Sequence, residues 1–214
     1  MSIEISLVDY GLGNLLSVRR MLEYCGARVC VVCRPEEVMA AERLVLPGVG
    51  AFAAGMRGLA QRGMVDAVRE FSRSGRHLLG ICLGMQLLMG VGEENGTHDG
   101  LAVLPGRVTA IPSVNPEGNC VKIPHIGWNA LEYARDEAAW RGGILQNVRC
   151  GDFVYFVHSF HVVPDDGEKC VATVHYENIK LAAVVESDNI HGCQFHPEKS
   201  GPIGLRIIDA FLKL

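Results

Sequence analysis

Residues 77–89, H-L-L-G-I-C-L-G-M-Q-L-L-M, constrain the fold more than any other stretch of this chain. An apolar run leads into G-I-C-L-G at residues 80–84, and a helix-like run follows. A G-x-C-x-G turn between a strand and a helix is the cysteine form of the nucleophile elbow, whose glycines leave room for the backbone to fold back. The sequence therefore predicts a strand, a sharp turn that exposes Cys82 at the top of a sheet, and a helix.

The position of Cys82 at the start of a helix predicts a reactive thiol. The free N–H groups and partial positive charge of a helix N-terminus favour thiolate over thiol. The N–H of Leu83 points to where an oxyanion would form, which makes it a candidate oxyanion donor. The alternative for an isolated motif of this kind is a buried core cysteine in a glycine-rich turn.

The N-terminal third predicts a parallel sheet. Apolar residues indicate strands at 3–8 and 27–33, with a helix at 17–24 between them, and such a strand–helix–strand order gives parallel strands with right-handed crossovers. The G-L-G-N turn at residues 11–14 suggests a dinucleotide site. However, the third glycine of that fingerprint is missing and no acidic residue ends the second strand.

A second glycine turn, P-G-V-G at residues 47–50, follows a short predicted strand at 43–46. Glycine tolerates unusual dihedral angles, so the backbone N–H groups of Val49 and Gly50 can reorient. Opposite Cys82, this turn is a candidate second oxyanion donor; alone, it would be an ordinary turn. A helix in two pieces is predicted at 53–74.

The C-terminal half predicts more strands. We expect β-rich structure at 100–130, one apolar strand within 151–163, paired strands at 171–174 and 181–186, a last strand at 190–195 and a closing helix at 204–212. The fold class is therefore α/β.

Composition indicates one globular domain, residues 1–214. Hydrophobic residues make up 49% and charged residues 21% of the 214 positions, and we see no repeat or linker. With a net charge of −4 and no basic patch, nucleic acid is not an expected partner. We expect no membrane span, no signal peptide and a cytoplasmic protein, whose eight cysteines are free thiols.

The last predicted strand ends in H-P-E, which offers a base for Cys82. His196 can reach the sulfur, and Glu198 can orient the imidazole and stabilise its charged form. Gln86, one helical turn after Cys82, can reach a ligand at the sulfur. Glu94 can bind a substrate ammonium, although acidic loop residues are usually only solvated. These residues predict acyl transfer through a thioester.

Three motifs together resemble the class I glutamine amidotransferases: G-I-C-L-G-M-Q, L-P-G-V-G-A-F and Q-F-H-P-E-K-S. D-Y-G-L-G-N, I-P-H-I-G-W-N and Y-F-V-H-S are similar to those of one member group, the glutaminase subunits of imidazole glycerol phosphate synthase. The resemblance implies a mixed, mainly parallel, flavodoxin-like sheet flanked by helices. It also implies that glutamine is hydrolysed and that the ammonia passes to a cyclase (β/α)₈-barrel subunit in a heterodimer. That barrel makes imidazole glycerol phosphate and AICAR for histidine synthesis; no cofactor or metal is implied.

The resemblance also implies roles for single positions. Cys82, His196 and Glu198 match the catalytic triad, with Val49, Gly50 and Leu83 at the oxyanion. The implied glutamine site consists of Gly50, Gln86, Glu94, His158 and Ser159. The implied partner-facing side consists of Asn14, Trp128 and Tyr155. Phe160 stands where the family usually has tyrosine, and residues 114–119 match no family feature.

Three other functions remain open at this point. A paralogous pair supplies ammonia for amidination of a surface sugar, and a stand-alone cysteine hydrolase such as a γ-glutamyl hydrolase has related chemistry. An inactive scaffold would only bind a barrel partner.

Free ammonia in neutral water is mostly protonated, so a transfer enzyme needs a sealed, well-packed interface.

Overall fold

A computed structural model describes residues 3–214 of the chain. Within that range the helices are α1 (Leu15–Tyr24), α2 (Pro35–Ala40), α3 (Phe52–Gln61), α4 (Met64–Arg73), α5 (Leu83–Leu87) and α6 (Gly201–Lys213). The strands are β1 (Glu4–Val8), β2 (Arg28–Val32), β3 (Leu44–Leu46), β4 (Leu78–Ile81), β5 (Val91–Gly92), β6 (His98–Asp99), β7 (Gly106–Ala110), β8 (His125–Ala130), β9 (Glu132–Tyr133), β10 (Phe153–His158), β11 (Phe160–Pro164), β12 (Cys170–Tyr176), β13 (Ile179–Ser187) and β14 (Ile190–Cys193).

An eight-stranded sheet forms the centre, in the order β2-β1-β3-β4-β14-β13-β12-β9. The ladders from β2 to β14 are parallel, and those from β14 to β9 are antiparallel. The predicted mixed, mainly parallel sheet is thus confirmed. The predicted pairing of the strands around 171–174 and 181–186 is also confirmed, as the antiparallel pair β12 and β13.

Alternating side chains of the parallel strands divide the core into two layers. In β4, Leu79 and Ile81 pack with residues of α1 and α6, whereas Leu78 packs on the opposite face with residues of α2, α3 and α4. In β3, Val45 and Leu46 divide in the same way. Both faces are therefore covered by helices, as parallel sheets require.

The prediction of a single strand within residues 151–163 is wrong. Residues 151–163 form two strands, not one: β10 pairs with β8 in a two-stranded ribbon, and β11 pairs with β7 in a separate four-stranded sheet. Ser159 lies between them. The break turns His158 and Ser159 towards the end of the central sheet, so it matters for the site described below.

Two smaller differences concern the loops. Helix α2 was not predicted, and the region 100–130 contains only β7 and β8 as full strands. The unmatched stretch 114–119 is a hairpin closed by a bridge between Val114 and Cys120. Asn115 anchors it, because its Nδ2 donates to Glu177 O at 3.1 Å.

No helix within residues 3–214 is long and apolar enough to span a bilayer.

Candidate active site

Three neighbouring strands end at the same edge of the sheet and place the predicted chemistry together. The 47–50 turn follows β3, Cys82 follows β4, and His196 follows β14 by three residues. Because β3, β4 and β14 are parallel neighbours, their carboxyl ends lie side by side. This edge is where open α/β sheets bind ligands.

The nucleophile elbow is present at Cys82. Its φ of 53° and ψ of −110° are unusual for a residue with a side chain, as expected of a strained nucleophile turn. A Cβ at Gly80 would lie 2.7 Å from Met85 N, and one at Gly84 would overlap Leu46 O. The glycines are therefore required by close backbone approach, and Cys82 N donates to Cys193 O at 2.7 Å to hold the turn on β14.

His196 and Glu198 form a buried pair. His196 Nδ1 lies 2.8 Å from Glu198 Oε1, and the two side chains are 3% and 1% exposed. Burial alone would lower the pKa of His196, but the nearby Cys82 sulfur and the Glu198 carboxylate outweigh it and raise that pKa to about 10. Among the described residues, His196 Nε2 has no hydrogen-bond partner. It is free to exchange a proton at the sulfur.

A cavity of about 330 Å³ opens in front of Cys82 and His196. It is lined by all the residues predicted to hold glutamine, which are Gly50, Gln86, Glu94, His158 and Ser159, together with Val49, Leu83, Pro124, Val157 and Phe160. Glu198 lies behind His196, away from this cavity. The structure thus brings together residues that are up to 147 positions apart, from Val49 to His196.

One of the predicted oxyanion donors, the Leu83 N–H, is occupied in this conformation. Leu83 N–H donates to Gly48 O at 3.3 Å, so a carbonyl oxygen occupies the position expected for the oxyanion. Gly50 has a φ of +105°, which favours glycine, and Val49 is 40% exposed. Rotation of the Gly48–Val49 peptide would remove the carbonyl and present a second N–H in its place.

Phe160 contacts the site through its backbone. Its carbonyl oxygen accepts from Gln86 Nε2 at 3.0 Å and from His158 Nδ1 at 2.9 Å. The side chain packs against the core layer on the α3 side. The hydrogen bonds of residue 160 within the site thus come from its backbone carbonyl and do not depend on its side chain.

Glu94 contacts the turn region as well as the cavity. Its Oε2 accepts from Phe52 N at 2.7 Å, at the first residue of α3. The carboxylate thus joins the 93–96 loop to the helix that begins two residues after Gly50. It adds negative charge to a cavity that contains the unpaired imidazole edge of His196.

Trp128 and Tyr155 are opposite each other on the β8–β10 ribbon, with ring centroids 6.1 Å apart. Trp128 is 54% exposed. The same ribbon supports the triad, because His196 N donates to Tyr155 O at 2.9 Å. Asn14 lies at the start of α1, next to Gly13, whose position faces Pro47 and Gly48.

Sequence reasoning assigned no role to three residues around the site. Tyr10 donates its hydroxyl to Pro47 O at 2.8 Å, His125 Nδ1 lies 3.0 Å from His158 Nε2, and Gln194 Nε2 lies 3.7 Å from Cys82 Sγ. Each stands inside a motif quoted above, D-Y-G-L-G-N, I-P-H-I-G-W-N or Q-F-H-P-E-K-S. Their position within these motifs was the only feature of the sequence that could have indicated a role for them in the site.

Comparisons with known proteins identify the family and the fold. The model of the family described as "Glutamine amidotransferase class-I" matches residues 6–214. The chain is 47% identical over 210 residues to imidazole glycerol phosphate synthase subunit HisH 1 of Legionella pneumophila (strain Lens), covering 98% of this chain and 99% of that one. It is 45% identical to the HisH subunit of Geobacillus sp. (strain WCH70), covering 98% and 96%. The structure of PurLQS from Thermotoga maritima shares the fold, with a TM-score of 0.70 at 19% identity, covering 100% of this chain and 99% of that one.

Proposed function

The chain belongs to the class I glutamine amidotransferase family, and we propose that it works as the glutaminase subunit of an imidazole glycerol phosphate synthase, in histidine biosynthesis. It is an enzyme that hydrolyses glutamine to glutamate and ammonia. Near-full coverage of two HisH relatives at 45–47% identity favours this pathway over the surface-sugar paralogue and the stand-alone hydrolase. The observation that carries the catalytic assignment is the meeting of Cys82, His196 and Glu198 at adjacent strand ends.

Catalysis begins with a thiolate–imidazolium pair. The raised pKa of His196 keeps the imidazole protonated, and we infer that this charged ring stabilises the thiolate form of the adjacent sulfur. The sulfur attacks the side-chain amide carbon of glutamine, and a tetrahedral oxyanion forms. His196 then donates its proton from Nε2 to the leaving nitrogen, which departs as ammonia and leaves a thioester on Cys82.

Hydrolysis of the thioester returns the site to its starting state. His196, now neutral, takes a proton from a water molecule that attacks the thioester carbon. The Cys82 thiolate leaves, glutamate is released and His196 is again protonated. Glu198 stabilises the imidazolium at both stages through the 2.8 Å contact with Nδ1.

The resting position of Gly48 predicts a gated enzyme. While Gly48 O accepts from Leu83 N–H, the oxyanion lacks that donor. One missing oxyanion donor costs about 10²–10³ in rate. The Val49 N–H turns into the cavity when the partner is bound and loaded, so the chain alone hydrolyses glutamine slowly.

The chain is a subunit and acts with a partner, which we propose is the cyclase (β/α)₈ barrel of a heterodimer. Supporting this, large apolar side chains are exposed on the ribbon and on α1, close to the triad. They are Leu16, Tyr24, Ile126, Trp128 and Phe153, at 58%, 79%, 57%, 54% and 55%. Docking of the barrel on this side would seal the path along which ammonia leaves Cys82.

A glutamate-release assay tests the proposal. We expect slow release by the chain alone, a rise of about 10²-fold or more with the barrel subunit and its ribulosyl substrate, and no release by Cys82→Ala under any condition. Equal turnover with and without the partner would contradict gating. Complementation of a histidine auxotroph separates this pathway from sugar amidination, since only a histidine-pathway subunit restores growth.

A further inference from the structure

A buried amide lies beside the candidate nucleophile. Gln194 is 0% exposed, its backbone N donates to Ala183 O, and its side-chain Nε2 lies 3.7 Å from Cys82 Sγ. A primary amide has two donors and an acceptor, and a buried one needs partners for them. The functional question is which end of this amide faces the sulfur.

The neighbouring groups determine that orientation. Phe160 O can only accept, so the Gln86 amide must turn its NH₂ group towards it, at 3.0 Å. The same Gln86 nitrogen lies 3.0 Å from Gln194 Oε1, which accepts the second N–H. With its oxygen used in this way, Gln194 has only its NH₂ group left to face Cys82.

The carbonyl of Phe160, which determines how the two amides are oriented, is itself held in place by hydrogen bonds. Phe160 O also accepts from His158 Nδ1 at 2.9 Å, and His158 Nε2 lies 3.0 Å from His125 Nδ1. Burial lowers the pKa of His158 to about 3 and that of His125 to about 4, so both rings are neutral near pH 7. His125 is therefore the donor to His158, and Phe160 O accepts from His158 on one side and from Gln86 on the other.

From this arrangement we propose that Gln194 is a further catalytic residue, a fixed hydrogen-bond donor that stabilises the Cys82 thiolate. The proposal rests on the proposed function, since it concerns the same sulfur. A thiolate accepts hydrogen bonds more strongly than a thiol, so a donor fixed at 3.7 Å favours the charged form. Gln86 orients Gln194 from the side away from the sulfur.

The same network limits how Gln86 meets glutamine. Both of its amide hydrogens are used by Phe160 O and Gln194 Oε1, which leaves Oε1 as its free polar atom. Gln86 can therefore only accept a hydrogen bond from the substrate. The matching donors on glutamine are its side-chain amide NH₂ and its ammonium group.

The test replaces Gln194 by methionine, which has similar length and cannot donate. Cys82 alkylation by iodoacetamide is followed across pH by mass spectrometry of the Cys82 peptide, because the chain has eight cysteines. We expect the midpoint of the alkylation profile to move up by about one pH unit, a tenfold change in thiolate population. In the partner-loaded complex, kcat should fall about tenfold to a hundredfold while KM for glutamine stays within about threefold.

Controls separate this effect from general damage. Thr173→Val removes a hydroxyl from another buried polar residue of the central sheet and should leave the profile unmoved. If Gln194→Met does not fold, Gln194→Asn decides, because it keeps a buried amide but withdraws it from the sulfur and should give the same upward shift. A wild-type profile in the folded variant overturns the inference. If Cys82→Ala still hydrolyses glutamine, it is the proposed function that fails.

Discussion

Tyr10 ties the 47–50 turn to the sheet edge by a buried hydrogen bond. It is 1% exposed, and its hydroxyl donates to Pro47 O at 2.8 Å. A Cβ at Gly48 would collide with that hydroxyl, so the glycine is needed for the two segments to meet. In this position Gly48 O remains on Leu83 N–H, which blocks the oxyanion site.

We predict that Tyr10→Phe raises the basal glutaminase rate. The variant loses one buried hydrogen bond, about 1 kcal/mol, so the turn leaves its blocking conformation about fivefold more often. Steady-state glutamate release without the partner measures this. Tyr176→Phe removes a similar tyrosine-to-carbonyl bond, to Lys122 O, and should not change the rate. An unchanged or lower basal rate in Tyr10→Phe would show that Tyr10 does not hold the turn closed.

The proposed catalytic side chains could be picked out from the sequence because each stands in a short segment with its own chemistry. The G-x-C-x-G turn predicts an exposed thiol, and H-P-E predicts a base with its orienting carboxylate. Gln194 was not predictable in this way. Its role depends on contacts with Gln86 and Cys82, which are 108 and 112 positions away in the sequence.

The strand–elbow–helix unit depends on the close approach of Gly84 to β3. We predict that Gly84→Ala lowers the free energy of unfolding by at least about 2 kcal/mol, because its Cβ would overlap Leu46 O in a packed core. Urea unfolding measures this change. Gly167→Ala is the matched control, since a Cβ there meets nothing within 4 Å and should be nearly neutral. Equal stability of the two variants would mean that the elbow relaxes freely.

Strand boundaries were less predictable than strand positions. Apolar residues continue on both sides of His158 and Ser159, so the pattern of residues 151–163 gave no sign that β10 and β11 belong to different sheets. The division is set by their partners β8 and β7, which are far away in the sequence. Helix α2 is only six residues long, too short for a clear helical periodicity.

The β8–β10 ribbon makes stability depend on pH. His125 and His158 have pKa values of about 4 and about 3 in the folded chain, because burial disfavours their charged forms, against about 6.5 when unfolded. The unfolded chain therefore binds more protons below pH 6.5, and stability is lost as pH falls from about 6.5 towards 4. We predict a loss of a few kcal/mol over that range.

Urea unfolding at a series of pH values measures that slope. His125→Phe keeps an aromatic ring in the stack with Phe156 and Tyr176 but removes one titrating group, so its slope should be shallower. Burial also lowers the pKa of His77 and His161, which leaves a residual slope. His175→Gln alters an exposed imidazole and should retain the wild-type slope. A wild-type slope in His125→Phe would contradict the assignment.

Across the entire chain, the parallel sheet provides the chemistry and the ribbon provides the surface next to it. The sheet was predictable, because alternating strands and helices near the N-terminus determine parallel order. The position of the ribbon was not predictable, since it depends on tertiary hydrogen bonds. His196 N donates to Tyr155 O, and Tyr155 N donates to Ser200 Oγ. Ser200 Oγ in turn donates to His196 O. These bonds place an exposed apolar surface next to His196, the proposed catalytic base.

That surface leads to a prediction for assembly. Trp128 is 54% exposed. Its ring lies next to Gly201, the first residue of α6, where an added Cβ would be 4.0 Å from the ring. Central aromatic residues contribute about 2 kcal/mol or more to an interface, so Trp128→Ala should weaken binding of the barrel subunit about thirtyfold. Titration calorimetry measures Kd, and the partner concentration that gives half-maximal glutaminase activity should rise by the same factor. Val31→Ala alters a 44% exposed apolar residue on the opposite edge strand β2 and should bind like the wild type. A wild-type Kd for Trp128→Ala would place the partner on another face of the molecule.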